Sequence, residues 1–175
     1  MTERKNLWIM AALALALVLA LAGCPTDGSD GGGGSPAPVA FPFENLYKSA
    51  ISDSILATVG LSPGALNSIT ATSNYRGWGY MYDPGEETLI LFWTGKNETD
   101  FNNMKTAVGT SLGIDLVVSL AHIAPYTSDN SIEAYKKYGG DIYECGLLLV
   151  KKDLVDDGVL IPAGAMALAF GRGVL

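Results

Sequence analysis

Few side chains in this sequence have types and spacings that could perform chemistry. The chain of 175 residues contains one histidine, His122, and two cysteines, Cys24 and Cys145. A histidine can act as a general base or a metal ligand, and a cysteine thiol can act as a nucleophile or form a disulfide. Each role needs partner groups, so the sequence around each residue indicates which role is open to it.

His122 lies inside the apolar segment 120–123, which favours a histidine packed in the core or at its edge. A catalytic base or a metal ligand is the alternative, but no cluster of cysteines and histidines with zinc-site spacing accompanies it. Ser119 is close in sequence, yet it lacks the context of an activated serine nucleophile. We therefore predict no catalytic residue and no metal ligand.

Cys145 stands between Glu144 and Gly146 in an apolar stretch. This setting favours a buried thiol, and an intermolecular disulfide or a nucleophile are the alternatives. The acidic pairs Glu86-Glu87 and Asp156-Asp157 flank predicted turns, where solvated charges are expected. A calcium site is the alternative for these pairs, but the ligand spacing of an EF-hand is absent.

An aromatic row is the one candidate ligand surface in the sequence. Trp78, Tyr80 and Tyr82 alternate, so they share one face of a predicted strand, and Trp93 lies on the predicted partner strand. Such a row can stack on sugar rings or hydrophobic ligands, or it can be core packed across strands or under a helix. The sequence leaves both possibilities open.

Cys24 stands at the end of a distinctive N-terminal segment. Arg4 and Lys5 precede an apolar run over residues 7–22, which is the pattern of a secretory signal peptide. The run ends in Leu21-Ala22-Gly23-Cys24, which resembles the lipobox of bacterial lipoproteins at all four positions. An uncleaved anchor helix with an incidental cysteine is the alternative.

The resemblance covers the N-terminal segment alone, and it implies a defined modification. A diacylglyceryl group would be attached to the Cys24 sulfur, and a signal peptidase would cut between Gly23 and Cys24. This covalent acyl lipid, palmitate for example, is the one non-protein group that we expect. The resemblance thus implies a bacterial cell-envelope protein that is anchored to a membrane by lipid.

The rest of the chain divides into a tether and one domain. After the cleaved signal peptide, residues 1–23, residues 24–38 carry the lipidated cysteine and a Gly/Ser/Pro-rich stretch with no large apolar residue. Such a stretch cannot bury enough surface to offset its ordering entropy, so we predict a flexible spacer. Residues 39–175 are long enough to form a single globular domain.

The charge of the chain bears on its partners. A formal net charge of -7 argues against nucleic acid, because phosphate contacts need clustered Lys and Arg. Cleavage would remove Glu3, Arg4 and Lys5 and so leave a more acidic chain. Anionic headgroups would repel that chain, so we expect membrane contact through the lipid and not through the domain's surface.

Hydrophobic periodicity predicts an α+β fold with a mainly antiparallel sheet and two principal helices packed on one face. The alanines of the last strand alternate with larger residues, and this alanine face is expected to lie under a helix. Gly60 is expected to end the first helix, and Pro63 to prevent it from resuming. Helices are predicted over residues 43–59, 97–110 and, as a short one, 129–138, and strands over residues 67–73, 78–82, 88–93, 114–124, 142–150, 158–161 and 165–170.

The sequence therefore predicts a lipid-anchored envelope lipoprotein with a small, non-catalytic binding or interaction domain. Its partner would be another envelope protein. The alternative is a lipoprotein that binds a small ligand, a sugar or a hydrophobic molecule, on the aromatic row. An envelope enzyme is the third possibility, and it would need an acid hydrogen-bonded to His122 beside a cleft.

Overall fold

Two sheets of unequal size organise the domain in a computed structural model, which describes residues 39–40 (backbone only), 51–71, 79–119 and 124–173. The elements in chain order are β1 (Val39–Ala40), α1 (Asp53–Thr58), α2 (Pro63–Thr70), β2 (Gly79–Asp83), β3 (Thr88–Trp93), α3 (Glu98–Leu112), β4 (Val117–Val118), β5 (Ser131–Tyr138), β6 (Tyr143–Val150), β7 (Leu154–Asp156), β8 (Val159–Ile161) and β9 (Met166–Arg172).

The larger sheet has six strands in the order β2-β3-β9-β6-β5-β4, and every neighbouring pair is antiparallel. The last strand, β9, lies in the middle, where Leu168 is opposite Leu91 on one side and Leu147 on the other. The smaller sheet has the order β1-β8-β7, and β1 runs parallel to β8. The predicted α+β class with a mainly antiparallel sheet is confirmed.

Each face of the six-stranded sheet is covered by a different layer. The helices cover one face, which we call the helix face, where Phe101 and Met104 of α3 pack in one core with Leu91 and Phe170. The three-stranded sheet covers the opposite face, which we call the second face, where Leu154 and Ile161 join a separate core. The six-stranded sheet contributes the following strand residues to this second core: Ile90, Phe92, Leu148, Val150, Ala167 and Ala169.

The prediction for the alanine face is wrong. Met166, Leu168 and Phe170 of β9 face the helices, whereas Ala167 and Ala169 belong to the second face. The gap between a sheet and a helix is filled by large side chains. The small alanine side chains instead leave room for the close approach of another sheet layer.

The prediction for residues 43–73 is also wrong in part. Within the described residues the first helix is only Asp53–Thr58, and Pro63 begins α2 instead of preventing a helix. Proline suits the first helical turn because its missing N–H has no partner there, and the Ser62 side chain accepts a hydrogen bond from the Ala65 N–H at 3.1 Å. Residues 67–70, predicted as the start of a strand, are therefore helical.

The short helix predicted over residues 129–138 is wrong, because these residues form β5. Strand β5 pairs along its whole length with β6, from Ser131 opposite Val150 to Tyr138 opposite Tyr143. In the predicted strand 114–124, the observed strand is Val117–Val118, and residues 120–123 lie outside the described residues. Strand β7 had not been predicted.

Helix α3 confirms the prediction for residues 97–110 and shows why it begins where it does. The Asn97 side chain accepts hydrogen bonds from the Thr99 and Asp100 N–H groups at 2.8 and 3.1 Å. The Asp100 carboxylate in turn accepts from the Asn97 N–H at 3.0 Å, which completes a capping box. Gly113, in the left-handed conformation, ends the helix.

Candidate functional site

Several of the residues singled out in the sequence, among them four candidate site residues, lie outside the described residues. These four are Gly23 and Cys24 of the lipobox, Trp78 of the aromatic row, and the single histidine, His122. The lipid attachment, the cleavage site and the role of His122 therefore stay predictions.

The described part of the aromatic row divides between the core and the sheet edge. Trp93 is 2% exposed and packs in the core of the helix face, so its ring is not presented to solvent. Tyr80 and Tyr82 lie on β2, the outermost strand, where they are half-buried and pack against the margin of the same core. A ligand could therefore reach the two tyrosines, but not Trp93 in this conformation.

Cys145 is a free thiol that is 0% exposed in the core under the helices. Burial raises the pKa of this thiol well above its usual range, because the thiolate would lose its hydration. Cys145 is therefore protonated at neutral pH and is neither a nucleophile nor accessible to a partner's cysteine. This environment corresponds to the buried thiol that the sequence favours.

The two acidic pairs differ in environment. Glu86 is exposed and Glu87 is half-buried, with its carboxylate 3.4 Å from the Arg172 guanidinium, so this pair carries turn charges as expected. Asp156 is only 5% exposed, although its neighbour Asp157 is exposed. The expectation of a solvated charge is therefore wrong for Asp156, because the residue is the end of β7 and faces the second core.

A buried hydrogen bond satisfies Asp156. The Tyr126 hydroxyl donates to the Asp156 carboxylate at 3.0 Å, and Tyr126 itself is buried among the side chains of the second core. Burial, followed by the negative charge of Asp156, raises the pKa of Tyr126 far above its usual range. Tyr126 is therefore the donor in this pair at every physiological pH.

Strand β5 contributes more polar groups that the sequence interpretation missed. Glu133 is buried, and Tyr135 and Lys137 follow it at alternate positions, so all three point to the second face. The Lys137 ammonium is 3.6 Å from the carboxylate of buried Glu144 on β6. Burial and then Glu144 raise the pKa of Tyr135. The period-two spacing of residues 133, 135 and 137 was the signal that could have revealed this strand face.

These acids do not form a metal centre within the described ranges. No group of three or more His, Cys, Asp or Glu side chains there is placed to hold an ion. Glu144 and Asp156 are instead engaged with a lysine and a tyrosine on the second face, and the charge of Glu133 acts on Tyr126. The contacts described on this face are a hydrogen bond and an ion pair made by buried acids.

A groove of about 510 Å³ lies at the start of α3, between the β3–α3 connection and the end of β6. Lys96, Glu98 and Lys151 bring both signs of charge to its wall. Gly164 is required there, because its φ is +85° and a Cβ would lie 3.1 Å from the Lys96 carbonyl oxygen. The Thr99 and Asp100 N–H groups at the start of the helix already donate to Asn97, so these two are not open to an anion in the groove.

Comparisons with protein families, with curated proteins and with solved structures found no match to this chain. In the described ranges, no helix has the length and apolar character needed to cross a membrane.

Proposed function

We propose that this chain is a lipid-anchored lipoprotein of the bacterial cell envelope, whose α+β domain binds a partner and performs no catalysis. The observation that supports it is Leu21-Ala22-Gly23-Cys24 at the end of an apolar run with a basic start. The chain has two cysteines, and Cys145 is buried as a protonated thiol. Cys24 is thus the cysteine that suits a lipid acceptor.

The position of β1 supports the role of the preceding residues as a tether. Val39 and Ala40 pair with Val159 and Leu160, so the chain is joined to the three-stranded sheet directly after the predicted tether. A 14-residue flexible coil has an r.m.s. span of roughly 20 Å and a contour limit of about 50 Å. The domain would therefore be held close to the bilayer without lying on it.

The acidic charge favours a protein partner over nucleic acid or the membrane surface. With a net charge of -7, the chain repels phosphates and anionic headgroups alike. Contact with the membrane would occur through the acyl chains on Cys24, and contact with another envelope protein through the domain.

Envelope fractionation tests this proposal. We expect the chain to sediment with membranes, to resist extraction by concentrated salt and to be released by detergent. Salt screens surface charges but leaves buried acyl chains in place. Surface protease shaving and a pull-down from the detergent extract would then show the exposed side and the partner. Release by salt alone, or recovery in the soluble fraction, would contradict the proposal.

Binding of a small ligand is a second candidate, and the half-exposed Tyr80 and Tyr82 on the outer strand favour it. Stacking on an aromatic ring contributes about 0.5–1.5 kcal/mol. We therefore expect Tyr82→Ala to weaken binding of an oligosaccharide about three- to tenfold in a fluorescence titration. Ile142→Ala, which changes an exposed side chain before β6, is the control and should bind normally. Equal affinity of the Tyr82→Ala and control variants would exclude this surface.

A further inference from the structure

A buried hydrogen bond joins the two sheets on the second face. Asp156 is the last residue of β7, in the three-stranded sheet. Tyr126 lies in the segment before β5, and β5 belongs to the six-stranded sheet. The Tyr126 hydroxyl donates to the Asp156 carboxylate at 3.0 Å. The bond therefore connects the covering layer to the sheet beneath it.

The segment that carries Tyr126 is held in place by a local network. The Thr127 N–H donates to the Asn130 side-chain oxygen at 2.8 Å, and the Asn130 side-chain nitrogen donates to the Pro125 carbonyl at 3.0 Å. The Ser131 hydroxyl donates to the Thr127 carbonyl at 2.9 Å. Because these bonds hold residues 125–131 to one another, Tyr126 has a fixed support on the β5 side, and its bond to Asp156 reaches across to the β7–β8 hairpin.

The charges that raise the pKa of either member of this pair are negative. Burial raises the pKa of Asp156, the hydrogen bond from Tyr126 opposes that rise, and the charge of Asp157 adds to it. Asp157 on the same turn and Glu133 on β5 also act on Tyr126. These acids oppose ionisation of the pair, whereas Lys151, a cation on the same side, is bonded to the Ser128 carbonyl at 2.7 Å.

We propose that Asp156 and Tyr126 form a pH-sensitive latch, which holds the three-stranded sheet against the six-stranded sheet most tightly at acidic pH. A protonated Asp156 keeps a carbonyl oxygen that accepts the Tyr126 hydrogen bond, and it no longer places a charge in the second core. An ionised Asp156 keeps the same bond but must remain desolvated, with the negative charge of Asp157 acting on it.

The direction of the pH dependence follows from proton linkage. In the open state Asp156 is solvated and has its ordinary pKa, and in the closed state its pKa is higher. The closed state therefore binds the proton more readily. Closure strengthens as the pH falls through the raised pKa, and it weakens as the pH rises.

Opening the latch would change two features of the molecule at once. It would uncover the apolar second face, which includes Phe92 and Leu148. It would also release β8, the strand that pairs with β1 at the end of the predicted tether. The latch thus couples the acidity of the surroundings to the exposure of an apolar surface beside the tether.

Hydrogen–deuterium exchange of the full chain in detergent, from about pH 3.5, just below the ordinary pKa of an aspartate, to about pH 8, tests the latch. After correction for intrinsic exchange rates, we expect protection of residues 154–161 to fall several-fold as the pH rises, while residues 143–150 of β6 change little. Asp156→Asn keeps an oxygen acceptor but cannot ionise, so its protection should be independent of pH. A wild-type profile that is flat, or that rises with pH, would overturn the proposal.

Two further variants separate a latch from a merely structural contact. Tyr126→Phe removes the donor that lowers the pKa of Asp156, so the midpoint of the protection change should move to higher pH. If the contact were purely structural, Tyr126→Phe would reduce protection equally at every pH and would leave the midpoint unchanged. This result would also overturn the proposal. Asp157→Asn is the matched control, because Asp157 is exposed, and it should retain most of the wild-type dependence.

Discussion

The Cys24→Ser variant is expected to incorporate no labelled palmitate and to leave the membrane fraction. Lipid transfer needs the thiol as a nucleophile, and a serine hydroxyl is a much weaker one at neutral pH. Each buried CH₂ group contributes about 0.8 kcal/mol to membrane anchoring, so losing the acyl chains removes most of the binding energy. Metabolic labelling with a palmitate analogue, combined with fractionation, measures both effects.

The control for this experiment is Cys145→Ala, which removes the chain's other cysteine. Cys145 is buried in the core, so this variant should be labelled as strongly as the wild type, whatever its stability. Unchanged labelling of Cys24→Ser would contradict the lipobox interpretation. If Cys145→Ala lost the label instead, the lipid would be attached to Cys145 and the lipobox interpretation would be contradicted.

The Phe170→Ala variant is expected to lose about 3–5 kcal/mol of stability. Phe170 is 0% exposed on β9 and makes an edge-to-face contact with Tyr138, with ring centroids 6.4 Å apart. Truncation would leave a cavity under the helices, where rigid strands on both sides prevent collapse. Domains are stable by about 5–15 kcal/mol, so a large part of the total would disappear. Urea unfolding monitored by circular dichroism measures the loss.

Val117→Ala is the matched control for Phe170→Ala. It also truncates an apolar strand residue, but Val117 is 58% exposed on the outer strand β4. We expect its free energy of unfolding to remain within about 0.5 kcal/mol of the wild type. If both variants lost the same amount, Phe170 would not lie in the core that the structure describes.

The parts of the fold that could be predicted are those in which local pattern and tertiary role agree. Strand β3 is a short apolar run that follows a predicted turn, and its predicted limits match the observed Thr88–Trp93. Helix α3 has a buried stripe at helical spacing, which indicated its face, while Asn97 and Thr99 were both possible caps and the structure shows Asn97. In each case the information lies within the segment itself.

The failures arise where distant contacts decide the outcome. Strand β5 contains Glu, Ala and two Lys residues, which are good helix formers, but pairing with β6 along its length overrides that propensity. Asp156 resembles its exposed neighbour Asp157 in sequence, and its burial depends on Tyr126, 30 residues away. In the candidate ligand site, the apolar run over residues 88–93 did indicate an inner strand, but it did not show that the helices cover the face on which Trp93 lies.

The central position of β9 has a consequence for the order of assembly. Until β9 is in place, the β2–β3 hairpin and the β5–β6 hairpin share no backbone ladder, because β9 is the strand that pairs with both. Pairing over such long sequence separations is slow, since the intervening loops must close first. In the export that we propose, the chain crosses the membrane N-terminus first. The six-stranded sheet could then be completed only on the far side of the membrane, after β9 had emerged. The chain would therefore remain without its complete sheet during translocation.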